Sequence, residues 1–118
     1  MKVLIADDDR LVRTMLGDLL VELGHSVVVA QDGAEAVKFC DRESPDLLIL
    51  DFLMPRLSGL DALCDIRRRH GVPALLLTAI NQGSLRGVDG IEQVQGLLEK
   101  PFTRKGVEAA IARAVGAR

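Results

Sequence analysis

Leu47-Leu48-Ile49-Leu50-Asp51, continued by Phe52-Leu53-Met54-Pro55, decides how the rest of the chain reads. Four apolar residues in succession show no polar alternation, so a strand here has no wet face and must be covered on both sides. The aspartate that ends the run stands where buried chain meets a polar edge. Pro45 stops the element before it, and Ser58-Gly59 opens a helix after it.

Working outward, the same arrangement recurs. Lys2 to Ala6 (KVLIA) is an apolar run closed by Asp7-Asp8-Asp9. Ser26 to Ala30 (SVVVA) is short and β-branched. Ala74 to Leu77 (ALLL) ends in Thr78, and Leu97-Leu98 is followed by Glu99-Lys100-Pro101-Phe102. Helical spacing fills the gaps. From Arg10 to Leu23, Leu11, Met15, Leu16, Leu19, Leu20 and Leu23 recur at three and four, with Asp8 or Asp9 as the cap and Gly24 as the stop. Asp32-Gly33 reads as a turn, and Ala34 to Arg42 as a helix with Ala36, Val37 and Cys40 inward. After Ser58-Gly59 the inward residues are Leu60, Leu63, Cys64 and Ile66. Thr103 caps a last helix running to Val115, with Val107, Ala110, Ile111 and Ala114 inward. The segment Asn81 to Gln95 holds Gly83, Gly87 and Gly90, each costing a helix about 1 kcal/mol relative to alanine, which predicts a weak or short fourth helix.

Five strand–helix units in succession predict an α/β fold, a parallel sheet with helices on both faces and right-handed crossovers. The 118 residues amount to one domain, 1–118, long enough to bury a sizeable core. Hydrophobic residues make up 48% and charged residues 27%, which is the balance of a globular rather than a disordered chain. A net charge of −2 argues against a nucleic-acid grip, which needs a basic face. The opening MKVLIADDD has no secretory apolar run and no stretch is long enough to span a bilayer, so the expected compartment is the cytoplasm with no membrane contact. Cys40 and Cys64 read as small hydrophobes with free thiols, and His25 and His70 as polar residues beside helix-ending glycines.

In a parallel sheet the polar site lies beyond the carboxyl ends of the strands. Those ends carry Asp7-Asp8-Asp9, Asp51, Thr78 and, just after the last strand, Lys100. Taken singly, each has an ordinary structural reading: a capped loop, a strand-end hydroxyl, a surface turn. Together they make a cluster of carboxylates that needs a cation, a lysine that can pair with a carboxylate or phosphoryl oxygen, and a hydroxyl donor. That set suits phosphoryl chemistry with an aspartate as nucleophile.

With these residues in place the chain resembles the response-regulator receiver family of two-component phosphorelay signalling, over essentially its whole length. LIADDD matches the family's first strand and acid cluster, LLILDFLMPRLSG the phosphoacceptor strand and loop, LLLTA the switch-threonine strand, and KPF the lysine turn. The resemblance implies a doubly wound, flavodoxin-like three-layer sandwich. The sheet order 2-1-3-4-5 is carried over from the family, whose chemotaxis member is a standard instance of it. It implies Asp51 as phosphoacceptor, with Mg²⁺ (Mn²⁺ an acceptable substitute) held by Asp8, Asp51 and the backbone carbonyl of Leu53, and by Asp7 largely through water. Thr78 and Lys100 would contact the phosphoryl group, and Lys100-Pro101 would be cis. The implied partners are a sensor histidine kinase or phosphotransfer protein and an output protein or domain. The domain would not be a turnover enzyme, although it promotes its own phosphorylation and slow dephosphorylation.

Two departures stand out. Leu97 occupies the place where the family often has an aromatic switch residue, and the segment after Ala79 is rich in glycine. Leu97 motivates the alternative of an interaction-only receiver that no longer cycles phosphate; the intact acceptor set argues against it. It also moves the expected output change onto the backbone of Asn81 to Gln95. An aspartyl-phosphate phosphatase wants a second acid two residues after its nucleophile, where this chain has Leu53.

Overall fold

The computed structural model describes residues 1–55, 57–79 and 85–116. The elements are β1 (Lys2–Ala6), α1 (Arg10–Glu22), β2 (Ser26–Ala30), α2 (Gly33–Glu43), β3 (Leu47–Asp51), α3 (Gly59–Ile66), β4 (Ala74–Thr78), a 3-10 turn (Ile91–Gln93), β5 (Gly96–Glu99) and α4 (Arg104–Gly116). All strand pairs are parallel, in the order β2-β1-β3-β4-β5. The chain winds one way from β1 to β2 and the other way from β1 to β3, so a crevice opens between the carboxyl ends of β1 and β3.

Strand periodicity sorts the core into layers. Val3, Ile5, Leu47, Ile49, Leu75 and Leu77 point to one face and pack against Leu16 and Leu20 of α1 and Val107, Ile111 and Ala114 of α4. Leu4, Ala6, Leu48 and Leu50 point the other way, against Ala36 and Cys40 of α2 and Leu63 and Ile66 of α3. β1, β3 and β4 are central and therefore apolar on both faces, while β2 lies at the edge with Val29 exposed.

Some expectations need correction. Leu11 and Met15 are 65% and 54% exposed rather than inward. The stripe facing the sheet runs through Val12, Leu16, Leu19, Leu20 and Leu23, which leaves 11 and 15 on the flank of the helix. Cys64 is exposed and Ala62 is buried in its place, because the α3 contact follows residues 59, 60, 62, 63 and 66. Asp32-Gly33 is the start of α2, with the Asp32 carboxylate accepting from Glu35 N at 2.8 Å. Gly24, at φ +94°, takes the left-handed conformation that closes α1. Between β4 and β5 the described residues contain the 3-10 turn in place of a full helix. Leu85 is buried there against Leu60 and Leu76, with Leu97 at the margin of the same cluster. The share of the expected output segment that falls on 81–84 lies outside the described residues. No helix among the described residues is long and apolar enough to cross a membrane.

Candidate functional site at the carboxyl edge of the sheet

Asp9 is the N-cap of α1, its carboxylate accepting from Leu11 N at 2.9 Å. Capping by Asp9 leaves Asp7 and Asp8 to face the crevice. Asp7 is completely buried. Its Oδ1 accepts from Asp9 N at 2.8 Å, and its Oδ2 accepts no well-directed hydrogen bond but lies 3.1 Å from Lys100 Nζ. Asp51, only 5% exposed, closes β3, and its Oδ1 lies 3.3 Å from the same Lys100 Nζ. Carboxylate oxygens of Asp7, Asp8 and Asp51 all lie within 4.8 Å of one another.

The sheet delivers the remaining groups. Asp51 sits opposite Leu77, so Thr78, 2% exposed, ends the strand neighbouring that of Asp51. Lys100 N donates to the Thr78 carbonyl at 2.8 Å, which fixes the turn after β5, and Lys100-Pro101 is cis. Leu53 is 66% exposed, and its backbone N–H lies near enough to the Asp51 carboxylate to favour the charged form. Gly59, at the start of α3, is pressed against β3: a Cβ there would meet the Asp51 carbonyl oxygen at 2.2 Å.

Burial, then the neighbouring Asp7 charge, push the Asp51 carboxyl up to about 6, with Lys100 and the Leu53 N–H pulling the other way. Burial draws the Lys100 ammonium down, but its pairing with Asp7 and Asp51 outweighs that and raises it. One ammonium facing three acids leaves the cluster short of positive charge. The donor set is all hard oxygen, and buried Asp7 Oδ2 lacks a directed partner, so these residues fit a hard divalent cation.

The carboxylates of Asp7, Asp8 and Asp51 and the Lys100 ammonium expected from sequence at this edge do converge there, with Thr78 at the end of the neighbouring strand. Sequence reading missed Arg13, whose Nη1 donates to the Asp7 carbonyl at 2.7 Å. In the helical pattern it looks like any solvent-facing arginine, and only the fold shows that it turns back across the loop. An open apolar groove of about 340 Å³ borders the site, lined by Val12, Met15, Lys100, Pro101 and Phe102.

Comparison with known proteins places this geometry. Residues 3–112 match the family model described as "Response regulator receiver domain". Transcriptional regulatory protein CpxR of Escherichia coli (strain K12) is 41% identical over 112 residues, which cover 93% of this chain and 47% of the relative. Probable transcriptional regulator ycf27 of Guillardia theta is 41% identical over 111 residues, covering 93% of this chain and 43% of that protein. The chain thus spans about half the length of the curated relatives it matches. Among solved structures, Vibrio cholerae chemotaxis protein CheY4 aligns at a TM-score of 0.89 and 28% identity, over 96% of this chain and 97% of that one. The receiver domain of sensor histidine kinase PA1611 from Pseudomonas aeruginosa, solved with a magnesium ion coordinated in its active-site cleft, aligns at 0.87 and 28% identity, over 98% and 97%. Sequence and fold therefore agree that this chain belongs to the response-regulator receiver domain family of two-component systems.

Proposed function

We propose that residues 1–118 work in the cytoplasm as one receiver domain that accepts a phosphoryl group on Asp51 from a sensor histidine kinase or phosphotransfer protein, and that the phosphorylated form presents an altered surface to an output protein or domain. The observation that carries this reading is Lys100 Nζ set between Asp7 and Asp51, at 3.1 and 3.3 Å, beside the cluster of three carboxylates. Such a charge cluster burdens a fold by itself, and it complements a phosphoryl group arriving with a cation.

In the proposed transfer a carboxylate oxygen of Asp51 attacks phosphorus. The P–N bond to the donor imidazole breaks, and its electron pair stays on the imidazole nitrogen. Lys100 then holds phosphoryl oxygens in place of its pairing with the free carboxylate, and the Thr78 hydroxyl donates to another. Asp8, Asp51 and the Leu53 carbonyl, with Asp7 acting through water, would hold Mg²⁺ or Mn²⁺, which supplies positive charge at the phosphoryl oxygens. The exposed groove beside Lys100 offers the donor protein an apolar footing next to the acceptor.

Incubation with a small acyl-phosphate donor and Mg²⁺ should add a single phosphoryl group, stable to acid and labile to base. Asp51→Asn should abolish it, because an amide is a poor nucleophile. Equal labelling of that variant would show that the acceptor lies elsewhere, and no labelling of the parent would favour the interaction-only alternative.

A further inference from the structure

We infer that Arg13 is a positioning residue for the cation and phosphoryl site, acting through the Asp7–Asp8 peptide; this rests on the reading proposed above. The Arg13 Nη1 to Asp7 carbonyl contact, at 2.7 Å, is among the shorter side-chain hydrogen bonds in the molecule. It completes the restraint of Asp7, whose N–H donates to the Ala30 carbonyl at 3.2 Å and whose carboxylate is held by Asp9 N and Lys100. Asp8 is exposed, so packing does little to hold its side chain, and the placement of the peptide that carries it matters the more. The carbonyl held by Arg13 belongs to that peptide. Rotating the Asp7–Asp8 plane would swing Asp8 away from Asp51.

The placement of Arg13 is otherwise unfavourable. α1 opens Arg10-Leu11-Val12-Arg13 with no acid in its first turn, whereas helix N-termini favour negative charge. Arg13 N donates to the Asp9 carbonyl at 3.0 Å as part of the first helical turn, so the backbone from which the side chain folds back is fixed. A planar guanidinium holds one carbonyl direction better than a flexible ammonium does.

Two roles for Arg13 predict opposite signs. If it acts only as a positive charge near the acids, removing it should leave cation binding unchanged or tighten it. If it orients the peptide that carries Asp8, removing its donors should weaken binding although a repelling charge has gone. The test uses Arg13→Met, which keeps the apolar stem, and Arg13→Lys, which keeps the charge and one donor. Mg²⁺ affinity is measured by calorimetric titration well below the unfolding temperature, with circular dichroism as the check on folding. Arg13→Met should weaken Mg²⁺ binding by about tenfold, in the range seen when partners of metal ligands are removed, and Arg13→Lys should fall between it and the parent. Phosphorylation by a small donor should then need more Mg²⁺ for half-maximal rate, with the rate at saturating Mg²⁺ much less changed. Affinity in Arg13→Met equal to or tighter than the parent's would overturn the assignment, as would a lowered unfolding temperature with unchanged affinity. If Arg13→Met does not fold, Arg13→Gln, which retains an amide donor on a shorter stem, and Arg13→Lys carry the same comparison. A parent that binds no Mg²⁺ refutes the underlying reading instead, a result separable from the behaviour of the variants.

Discussion

Asp51→Asn should stabilise the domain in the absence of divalent cations, and by an amount that depends on pH. Asp51 titrates near 6 in the fold against an ordinary value of 3.8, which corresponds to about 3 kcal/mol at 1.36 kcal/mol per unit. The folded state holds the Asp51 proton more tightly than the unfolded chain between those two values. Stability from this residue therefore falls as pH rises from about 4 to about 6, and the penalty is complete above that window. The Lys100 attraction is already part of that net shift, so asparagine should gain up to about 3 kcal/mol at pH 7.5, less any hydrogen bond its amide cannot match, and unfold at a temperature higher by roughly 4 °C per kcal/mol. At pH 4.5, inside the window but near its lower end, the gain should shrink to about a third, since Asp51 in the fold is then largely neutral. Urea denaturation of both proteins with a chelator present, at the two pH values, measures this; the difference between them cancels the other carboxylates. A variant no more stable than the parent at pH 7.5, or an equal gain at both pH values, would refute the claim that burial and Asp7 strain the acceptor.

Mg²⁺ should stabilise the parent by about 2.7 kcal/mol at a hundredfold excess over its Kd and so raise its unfolding temperature, and Asp8→Ala should lose most of the rise. Met15→Glu, on the exposed flank of α1 beside the groove, should slow phosphotransfer from a protein donor at least severalfold while leaving labelling by a small acyl phosphate unchanged; equal loss with both donors would count against the groove as the donor's footing. Leu53→Asn should shorten the lifetime of the phosphorylated form, because Leu53 is exposed beside the acceptor and cannot orient water, and a lifetime as long as the parent's would count against that role. Hydrogen exchange with a stable phosphoryl mimic and Mg²⁺ should change more within Asn81 to Gln95 than in α1, and an unresponsive segment would place the output change elsewhere.

Strand identity was legible wherever the chain was buried on both faces, because a run such as Leu47 to Leu50 leaves no other place for those side chains. The convergence of Asp7, Asp8, Asp51 and Lys100 followed from parallel strands, which bring residues distant in sequence to one edge. The flank of α1 was not legible. Leu11 and Met15 fit the helical spacing as well as Val12 does, and only the docking angle on the sheet decides which stripe is covered. Arg13 was hidden for a similar reason, since its partner is a backbone carbonyl and leaves no mark on residue type. Between β4 and β5 the described residues hold a 3-10 turn, and Arg67, which donates to the Gln93 carbonyl at 3.2 Å and to Gln95 Oε1 at 3.3 Å, ties the end of the segment to α3 through contacts no periodicity announces.

The contact between Gly59 and the acceptor strand sets a mechanical limit. With the Asp51 carbonyl oxygen 2.2 Å from where a Cβ would stand, α3 rests on the strand with only a hydrogen atom as spacer. The smallest side chain would have to prise the two apart by about 1 Å, and a displacement of that size at a reacting centre can cost about a hundredfold in rate. On the proposed reading the helix works as a gauge block for Asp51, and even the most conservative enlargement at that position should slow phosphoryl transfer to it.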